Sequence, residues 1–430
     1  MSVSVAREPA LRPELSLLYQ LSEGYEPRDF AIRFWDGASA GPDSGQQARF
    51  TIVLNHPGAL RRMLWPFNQK YALGEAYIYG DFDVDGDLSA FILLLKHWIE
   101  KKWTARQKLS LLKRVLALPG GGPSHEDKHR ARMSGKVHSL ERDQQAITYH
   151  FDLSNDFFEL WLDKRMAYTC GYFKTPTDDI DTAQEQKFDH VCRKLRLKPG
   201  ERLLDMGCGW GGFALFAAER YGVESLGVTL SKAQAEFANQ RIRKAGLEGR
   251  CRVQHGDFRE IKDAPGFDKI ASIGMIEHLG GSLLPSYFQL AWRLLPPGGV
   301  FLSHGISACA VIPEPKWRAF GRRYVFPDGE LVPVSQLLVE AEKAGFEIRD
   351  VENLREHYAL TLEHWARRLE ARQAEAIAAT DEVSYRIYRI YLTAVAHSFR
   401  NRTAGLHQCL LVKPDRGRSG LPLTREDWYP

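Results

Sequence analysis

The chain has 430 residues, of which 44% are hydrophobic and 26% charged. That is enough apolar material for two domains, since domains run to roughly 100–200 residues, and it excludes a disordered or low-complexity chain. A formal net charge of +4 is too mild to announce a nucleic-acid binder, and no nucleic-acid partner is expected.

The opening MSVSVAREPALRPELSLLYQ lacks the apolar core of a signal peptide. No later window approaches the roughly 18–20 apolar residues of a spanning helix, so a cytoplasmic chain that does not cross a membrane is expected. Six cysteines, Cys170, Cys192, Cys208, Cys251, Cys309 and Cys409, are widely spaced, with no C-x-x-C pair and no His cluster at zinc spacing. Neither a disulfide framework nor a structural metal is indicated.

Residues 1–115 read as a small α+β domain, with strand-like FAIRFWDG and ARFTIVLN and helical segments around WPFNQKYALGEAYIYG and SAFILLLKHWIEKKW. Within it, DFDVDGDLSAFI (81–92) opens like a calcium loop, with Asp81, Asp83, Asp85 and Gly86 at the right offsets. Its twelfth position is Ile92 where a bidentate Glu is required, and no metal is assigned. The stretch KHWIEKKWTARQKLSLLKRVLAL (96–118) carries seven Lys or Arg against one Glu, interleaved with Trp98 and Trp103. It predicts a basic amphipathic helix, fit either to lie on an anionic bilayer or to pack on its own domain. Residues 116–145, containing LALPGGGPSHEDKHRARMSGKVHS, lose hydrophobic periodicity to Gly, Pro, Ser and mixed charge, as a linker does.

From 146 to 430 the chain alternates. RLLDMG, ESLGVTL, CRVQHGD, FDKIASIGMIEH and GGVFLSHGIS are strand candidates, and GGFALFAAERYG and SKAQAEFANQRIRKAG are apolar at helical spacing and end in Gly. Strands recurring through helices imply a doubly wound parallel sheet. A long aromatic helical tail follows, EHWARRLEARQAEAIAATDEVSYRIYRIYLTAVAHSFR, too polar to span a bilayer.

The stretch DMGCGWGGFALF (205–216) puts an acid and then bare backbone between a strand and a helix. Gly207, Gly209 and Gly212 satisfy G-x-G-x-x-G formally, but the dinucleotide reading needs an acid about 20 residues on, and SLGVT stands there. A phosphate-binding P-loop fails for want of G-K-[ST]. What remains resembles the first motif of S-adenosylmethionine-dependent methyltransferases, in which glycine lets a bulky nucleoside lie against the backbone and an acid meets a cationic ligand. HGDF (255–258) adds Asp257 and Phe258 at the same sheet edge, like the adenine contacts of those enzymes.

The resemblance narrows further. YHFDLSNDFFELWLDKRMAYTCGYF (149–173), VTLSKAQ (228–234), MIEHLG (275–280), FLSHGI (301–306), YVFPDGELVP (324–333) and LPLTREDWY (421–429) resemble the cyclopropane-fatty-acyl-phospholipid synthase family, and LGEAYIYGDFDVDGDL resembles the extra lipid-binding domain of its full-length members. The resemblance implies an α/β catalytic domain over 146–430, a doubly wound, seven-stranded, Rossmann-like methyltransferase fold, beside the smaller α+β domain, and a turn over 81–92. It implies cofactor contacts from Tyr168, Thr169, Asp205, Gly207, Gly209, Thr229, Leu230, Gln234, Asp257 and Phe258; the family often has Ser where Thr169 stands, which keeps the hydroxyl. It also implies a bound bicarbonate as base, held by Cys170, Glu277, His304, Tyr358 and the backbone of Ile306. Of the adjacent Glu277 and His278, read as a strand end, Glu277 is the one expected to face the pocket.

The expected reaction adds a one-carbon bridge from S-adenosylmethionine to cis double bonds of unsaturated phospholipid acyl chains, at the inner membrane surface, with room for a homodimer. Three alternatives stay open: the same transfer ending in a methylene-branched chain, a non-catalytic lipid-binding protein on a methyltransferase fold, and a nicotinamide oxidoreductase disfavoured by the absent ribose acid.

Overall fold

The computed structural model describes residues 12–42, 46–65, 71–125, 127–151, 153–262, 266–314 and 318–429. The chain forms two compact units, Met1–His129 with Arg386–Ala394, and Arg130–Tyr385 with Val395–Pro430. Among the described residues no helix is long and apolar enough to cross a membrane.

In the first unit β1 (Phe30–Arg33), β2 (Ser39–Ala40), β3 (Phe50–Leu54) and β4 (Phe82–Gly86) form a sheet in the order β2-β1-β3-β4. Phe50, Ile52 and Leu54 alternate inward along β3, the period of a sheet with one face on a core. Phe50 stacks on Phe30 at 5.5 Å between centroids and meets Phe91 edge-on at 5.8 Å. Phe91 lies on helix Leu88–Glu100, capped by the Asp87 carboxylate, which accepts from the Ala90 N–H.

Three sequence expectations change here. The DFDVDG run is β4, antiparallel to β3 with Val84 opposite Ile52, rather than a turn; the buried Phe82 and Val84 supply the apolar period that the aspartates between them obscure. The basic stretch is two helices. Leu88–Glu100 stops at Lys101, and Ala105–Ala117 starts afresh behind Thr104, which forms a reciprocal cap with Gln107. Of the helical segment expected around WPFNQKYALGEAYIYG, Ala72–Ile78 is helix and 66–70 lie outside the described residues.

The second unit holds β5 (Arg202–Met206), β6 (Glu224–Thr229), β7 (Cys251–His255), β8 (Lys269–Ile273), β9 (Val300–Ala308), β10 (Glu347–Asn353) and β11 (Ala404–Val412), in the order β10-β11-β9-β8-β5-β6-β7. It is a doubly wound α/β fold with a seven-stranded sheet. The sheet is mixed, because β11 runs antiparallel to both β9 and β10. Leu203 packs with Phe188, Phe213 and Phe216, while its neighbour Leu204 packs with Leu284, Phe288 and Phe301, so successive side chains feed the helical layers on opposite faces. The chain moves outward from β5 through β6 to β7, then returns to β8 on the other side of β5. That reversal opens a crevice at the carboxyl ends of β5 and β8.

β10 and β11 were not among the strand candidates. The tail that precedes β11 is three helices, Arg355–Ala371, Gln373–Ala379 and Glu382–Arg400, rather than one long run. The segment FDKIASIGMIEH is strand only to Ile273; Glu277 and His278 stand in the first turn of helix Ile276–Leu294, which is kinked at Gly280. Helix Ala105–Ala117 reaches into the 116–145 stretch and helix Leu140–Phe151 begins inside it.

Candidate active site

The crevice is built from the turn after β5 outward. Gly207 and Cys208 both donate their N–H to Val228 O, at 3.0 Å each, which tethers the turn to the end of β6. The glycines have two different tasks. At Gly207, φ is +77° and a Cβ would lie 2.2 Å from Met275 Sδ, so its bareness serves internal packing. At Gly209, φ is +54° and the nearest atom to a Cβ is Gln234 Nε2 at 4.0 Å, which leaves the backbone open to a ligand.

Gln234 lies beside that open backbone. Thr229 Oγ1 donates to Gln234 Oε1 at 2.7 Å, which turns the amide so that Nε2 is buried without a partner among the described residues. Leu230, between them, has its carbonyl taken by Gln144 Nε2 at 2.8 Å and His255 Nε2 at 3.1 Å. Asp257 lies at the end of β7, but Arg259 engages both its oxygens, Oδ1 from Nε at 2.8 Å and Oδ2 from Nη2 at 2.6 Å. Phe258 beside it is buried in the core against Tyr287.

Asp205 sits within β5 and is buried. Burial pushes its carboxyl up to about 7, opposed by the Lys187 cation and the Ala214 amide. It lies below the glycine turn, and its Oδ2 has no hydrogen-bond partner among the described residues.

Across the crevice, Tyr168 stands in an aromatic wall. Its ring stacks on His150 at 5.5 Å and meets Trp161 at 5.1 Å and Trp365 at 5.3 Å. Thr169 follows, its Cγ2 2.8 Å from the Cβ position of Gly274 at the end of β8, so only glycine fits there.

The residues implied as base ligands fall into two groups. In the first, Glu277 meets the Ile306 N–H, and its Oε2 lies 3.0 Å from the Cβ position of Gly305, buried without a partner among the described residues. Burial pushes the Glu277 carboxyl up to about 7. His304, two residues before Ile306 on β9, is buried with Nδ1 3.0 Å from Gln408 Nε2 and with Nε2 likewise unpartnered. In the second group the Tyr358 N–H donates to Leu354 O at 3.1 Å, and Cys170 Sγ lies 3.8 Å from the same oxygen. Burial pushes the Cys170 thiol upward, which favours the protonated, hydrogen-bonding form. His278 turns to Phe326, at 5.4 Å between centroids.

Glu277 and His304 each keep a buried, unsatisfied atom, hydrogen-bonding positions of the kind a small oxyacid takes. A bare turn beside an unpaired amide donor, closed by aromatic rings, fits a cationic nucleoside. A family model described as mycolic acid cyclopropane synthetase matches residues 138–409.

The chain belongs to that family. It is an S-adenosylmethionine-dependent methyltransferase of the cyclopropane fatty acyl synthase type. A second family model, described only as a domain of unknown function, matches residues 20–101. The chain is 38% identical over 402 residues to a probable fatty acid methyltransferase of Pseudomonas putida, covering 93% of this chain and 95% of the relative. It is 33% identical over 367 residues to the cyclopropane-fatty-acyl-phospholipid synthase of Escherichia coli K12, covering 84% and 87%. The solved mycolic acid cyclopropane synthase CmaA1, complexed with SAH and CTAB, superposes with a TM-score of 0.60 at 35% identity, covering 62% of this chain and 97% of that one.

Sequence reasoning missed three buried polar residues that contact the candidate site residues. Lys187 is wholly buried and donates from Nζ to Thr169 Oγ1 at 2.9 Å. Gln184 donates to Thr169 O at 2.6 Å. Gln408 holds His304. The first two carried a signal, because both fall within the buried stripe Ile180, Ala183, Gln184, Lys187, Val191, Leu195 of helix Ile180–Leu195, where a polar residue demands a partner. Gln408 had none, since β11 was not recognised as a strand.

Proposed function

We propose that the chain adds a one-carbon bridge to the cis double bond of unsaturated phospholipid acyl chains, leaving a cyclopropane ring, with bicarbonate held by Cys170, Glu277, His304, Tyr358 and the Ile306 N–H. S-adenosylmethionine supplies an electrophilic methyl group, and bicarbonate a small base that such a methyl group does not readily alkylate. The protein's part is positional. Gly209 offers open backbone and Gln234 Nε2 a donor to the nucleoside, while Asp205 beneath the turn adds negative charge on a cationic ligand's side. The wall of Tyr168, Trp161 and Trp365 excludes water and stabilises positive charge developing on the acyl chain; each ring face contributes about 0.5–2 kcal/mol to a nearby cation. Glu277 Oε2 accepts a hydrogen bond from the oxyacid, and His304 Nε2 donates one.

The observation that carries this reading is that Glu277 Oε2 and His304 Nε2 are each buried without a partner among the described residues. It is tested by incubating the full chain with dioleoyl phospholipid and labelled S-adenosylmethionine. Wild type should yield acyl chains heavier by one CH2, and Glu277→Gln should keep cofactor binding while losing most turnover. Full turnover in that variant contradicts the reading. A methylene-branched product is the second reading, motivated by the Pseudomonas putida relative, named only as a probable fatty acid methyltransferase.

For the first unit we propose contact with an anionic, cytoplasmic-side bilayer. Helix Ala105–Ala117 exposes Leu109 and Leu116 together with Arg106, Lys108 and Lys113, the mixture that partitions into a headgroup layer.

A further inference from the structure

We propose that Gln408 is a positioning residue that sets the tautomer of His304, keeping the proton on Nε2 so that the ring donates to the oxyacid. The proposal rests on the reading that His304 helps to hold bicarbonate.

β9 and β11 pair antiparallel with Gln408 directly opposite His304, and both side chains are buried, at 0% and 1% exposure. The register, rather than a flexible loop, therefore fixes the amide against the imidazole. Burial pushes His304 well below the usual histidine range, and the Lys187, Lys194 and His190 charges reinforce this against the opposing carboxylate of Glu352. Burial thus favours the neutral ring. A neutral imidazole has one donor and one acceptor nitrogen, and the bond made by one nitrogen settles the other.

Gln408 Nε2 lies 3.0 Å from His304 Nδ1. In this orientation of the amide, which leaves Gln408 Oε1 buried without a partner among the described residues, the NH2 donates, so Nδ1 accepts and Nε2 carries the hydrogen. That Nε2–H is buried with no acceptor among the described residues, the state in which a polar group costs most unless a ligand completes it. A bicarbonate oxygen is an acceptor. The opposite tautomer would turn a lone pair toward the anion, so bicarbonate affinity should depend on a residue that does not touch it.

The test uses the full chain labelled with nitrogen-15 histidine, free of cofactor and lipid, with His304 assigned from the signal lost in His304→Asn. Long-range proton–nitrogen spectra should place Nδ1 in the unprotonated range and Nε2 in the protonated range; the reverse pattern overturns the proposal. In Gln408→Leu both nitrogens should shift toward averaged values. The bicarbonate concentration for half-maximal turnover should rise about 10–100-fold, the worth of one hydrogen bond to a charged group, with S-adenosylmethionine affinity unchanged. A mixed tautomer with unaltered bicarbonate dependence overturns the proposal. Turnover of wild type that ignores bicarbonate sinks the underlying reading and with it the catalytic role of Gln408, while the ligand-free spectrum still reports the tautomer. If Gln408→Leu fails to fold, the wild-type spectrum decides.

Discussion

Lys187 Nζ donates to Thr169 Oγ1 across 2.9 Å, and the lysine is wholly buried. Its cation acts on Asp163, Cys170 and Asp205, which lie on different segments around the crevice. One ammonium thus holds the Tyr168–Cys170 segment and offsets the charge beneath the glycine turn. Lys187→Met loses this hydrogen bond but also the burial cost that lowers the lysine to about 8. Its deficit in unfolding free energy should therefore stay below the roughly 1.5–3 kcal/mol of a hydrogen bond to a charged group at pH 7 and grow toward about pH 9, seen in urea midpoints. An unchanged midpoint at both pH values would mean that this contact carries no stability.

The acids of the crevice give a pH signature. Burial raises Asp205 from 3.8 and Glu277 from 4.5, each to about 7. Between those limits the folded chain binds more protons than the unfolded chain, so these two groups make stability fall as pH rises from about 4 to about 7. Lys187, lowered from 10.5 to about 8, acts oppositely. Its unfolded form binds more protons between those values, and its contribution rises with pH. Glu277→Gln should therefore be more stable than wild type at pH 8, by roughly 1–3 kcal/mol at about 1.4 kcal/mol for each tenfold change in proton affinity, and should flatten the neutral part of a urea stability profile. A variant less stable than wild type at pH 8 would refute the buried-charge account.

The glycines should separate folding from binding. Gly212→Ala places a Cβ 2.3 Å from the Arg165 carbonyl oxygen, a backbone clash, and should cost about 1–3 kcal/mol or more in thermal denaturation. Gly209→Ala meets only Gln234 Nε2, at 4.0 Å, and should cost only the roughly 1–2 kcal/mol of a left-handed residue. Its calorimetric affinity for S-adenosylmethionine should nonetheless fall at least about tenfold, as loss of a close backbone approach implies. Equal affinity in Gly209→Ala and wild type would remove Gly209 from the cofactor site.

Gly207 and Gly209 show what the sequence made legible. The pattern announced a strand, a bare turn and a helix, and the structure has all three. It did not show that Gly207 is bare for Met275 and Gly209 for open space, because that difference lies in a side chain some seventy positions away. Glu277 and His304 were located through matching motifs, yet Glu277 was placed on a strand end. The residues IGMIEH are as apolar as a strand, and the helix start is marked only by the break at Gly274. β11 escaped notice because its antiparallel partner in β9 is roughly a hundred residues distant, and no local pattern reports such a pairing.

For the bilayer contact, the expected outcome is salt-dependent sedimentation with anionic vesicles. Arg106→Glu, Lys108→Glu and Lys113→Glu combined should weaken partitioning by roughly 100-fold or more, from about 1 kcal/mol per basic residue at such a surface. Wild type that stays in the supernatant at low salt would contradict the contact.

The central claim, methyl transfer to an olefin followed by ring closure, is tested most directly with cofactor deuterated in the methyl group. After incubation with dioleoyl phospholipid, the acyl chains should carry a bridging carbon that has lost one deuteron and kept the others, and the product should resist mild hydrogenation. A product that keeps every deuteron, or that takes up hydrogen as an alkene does, would contradict ring closure.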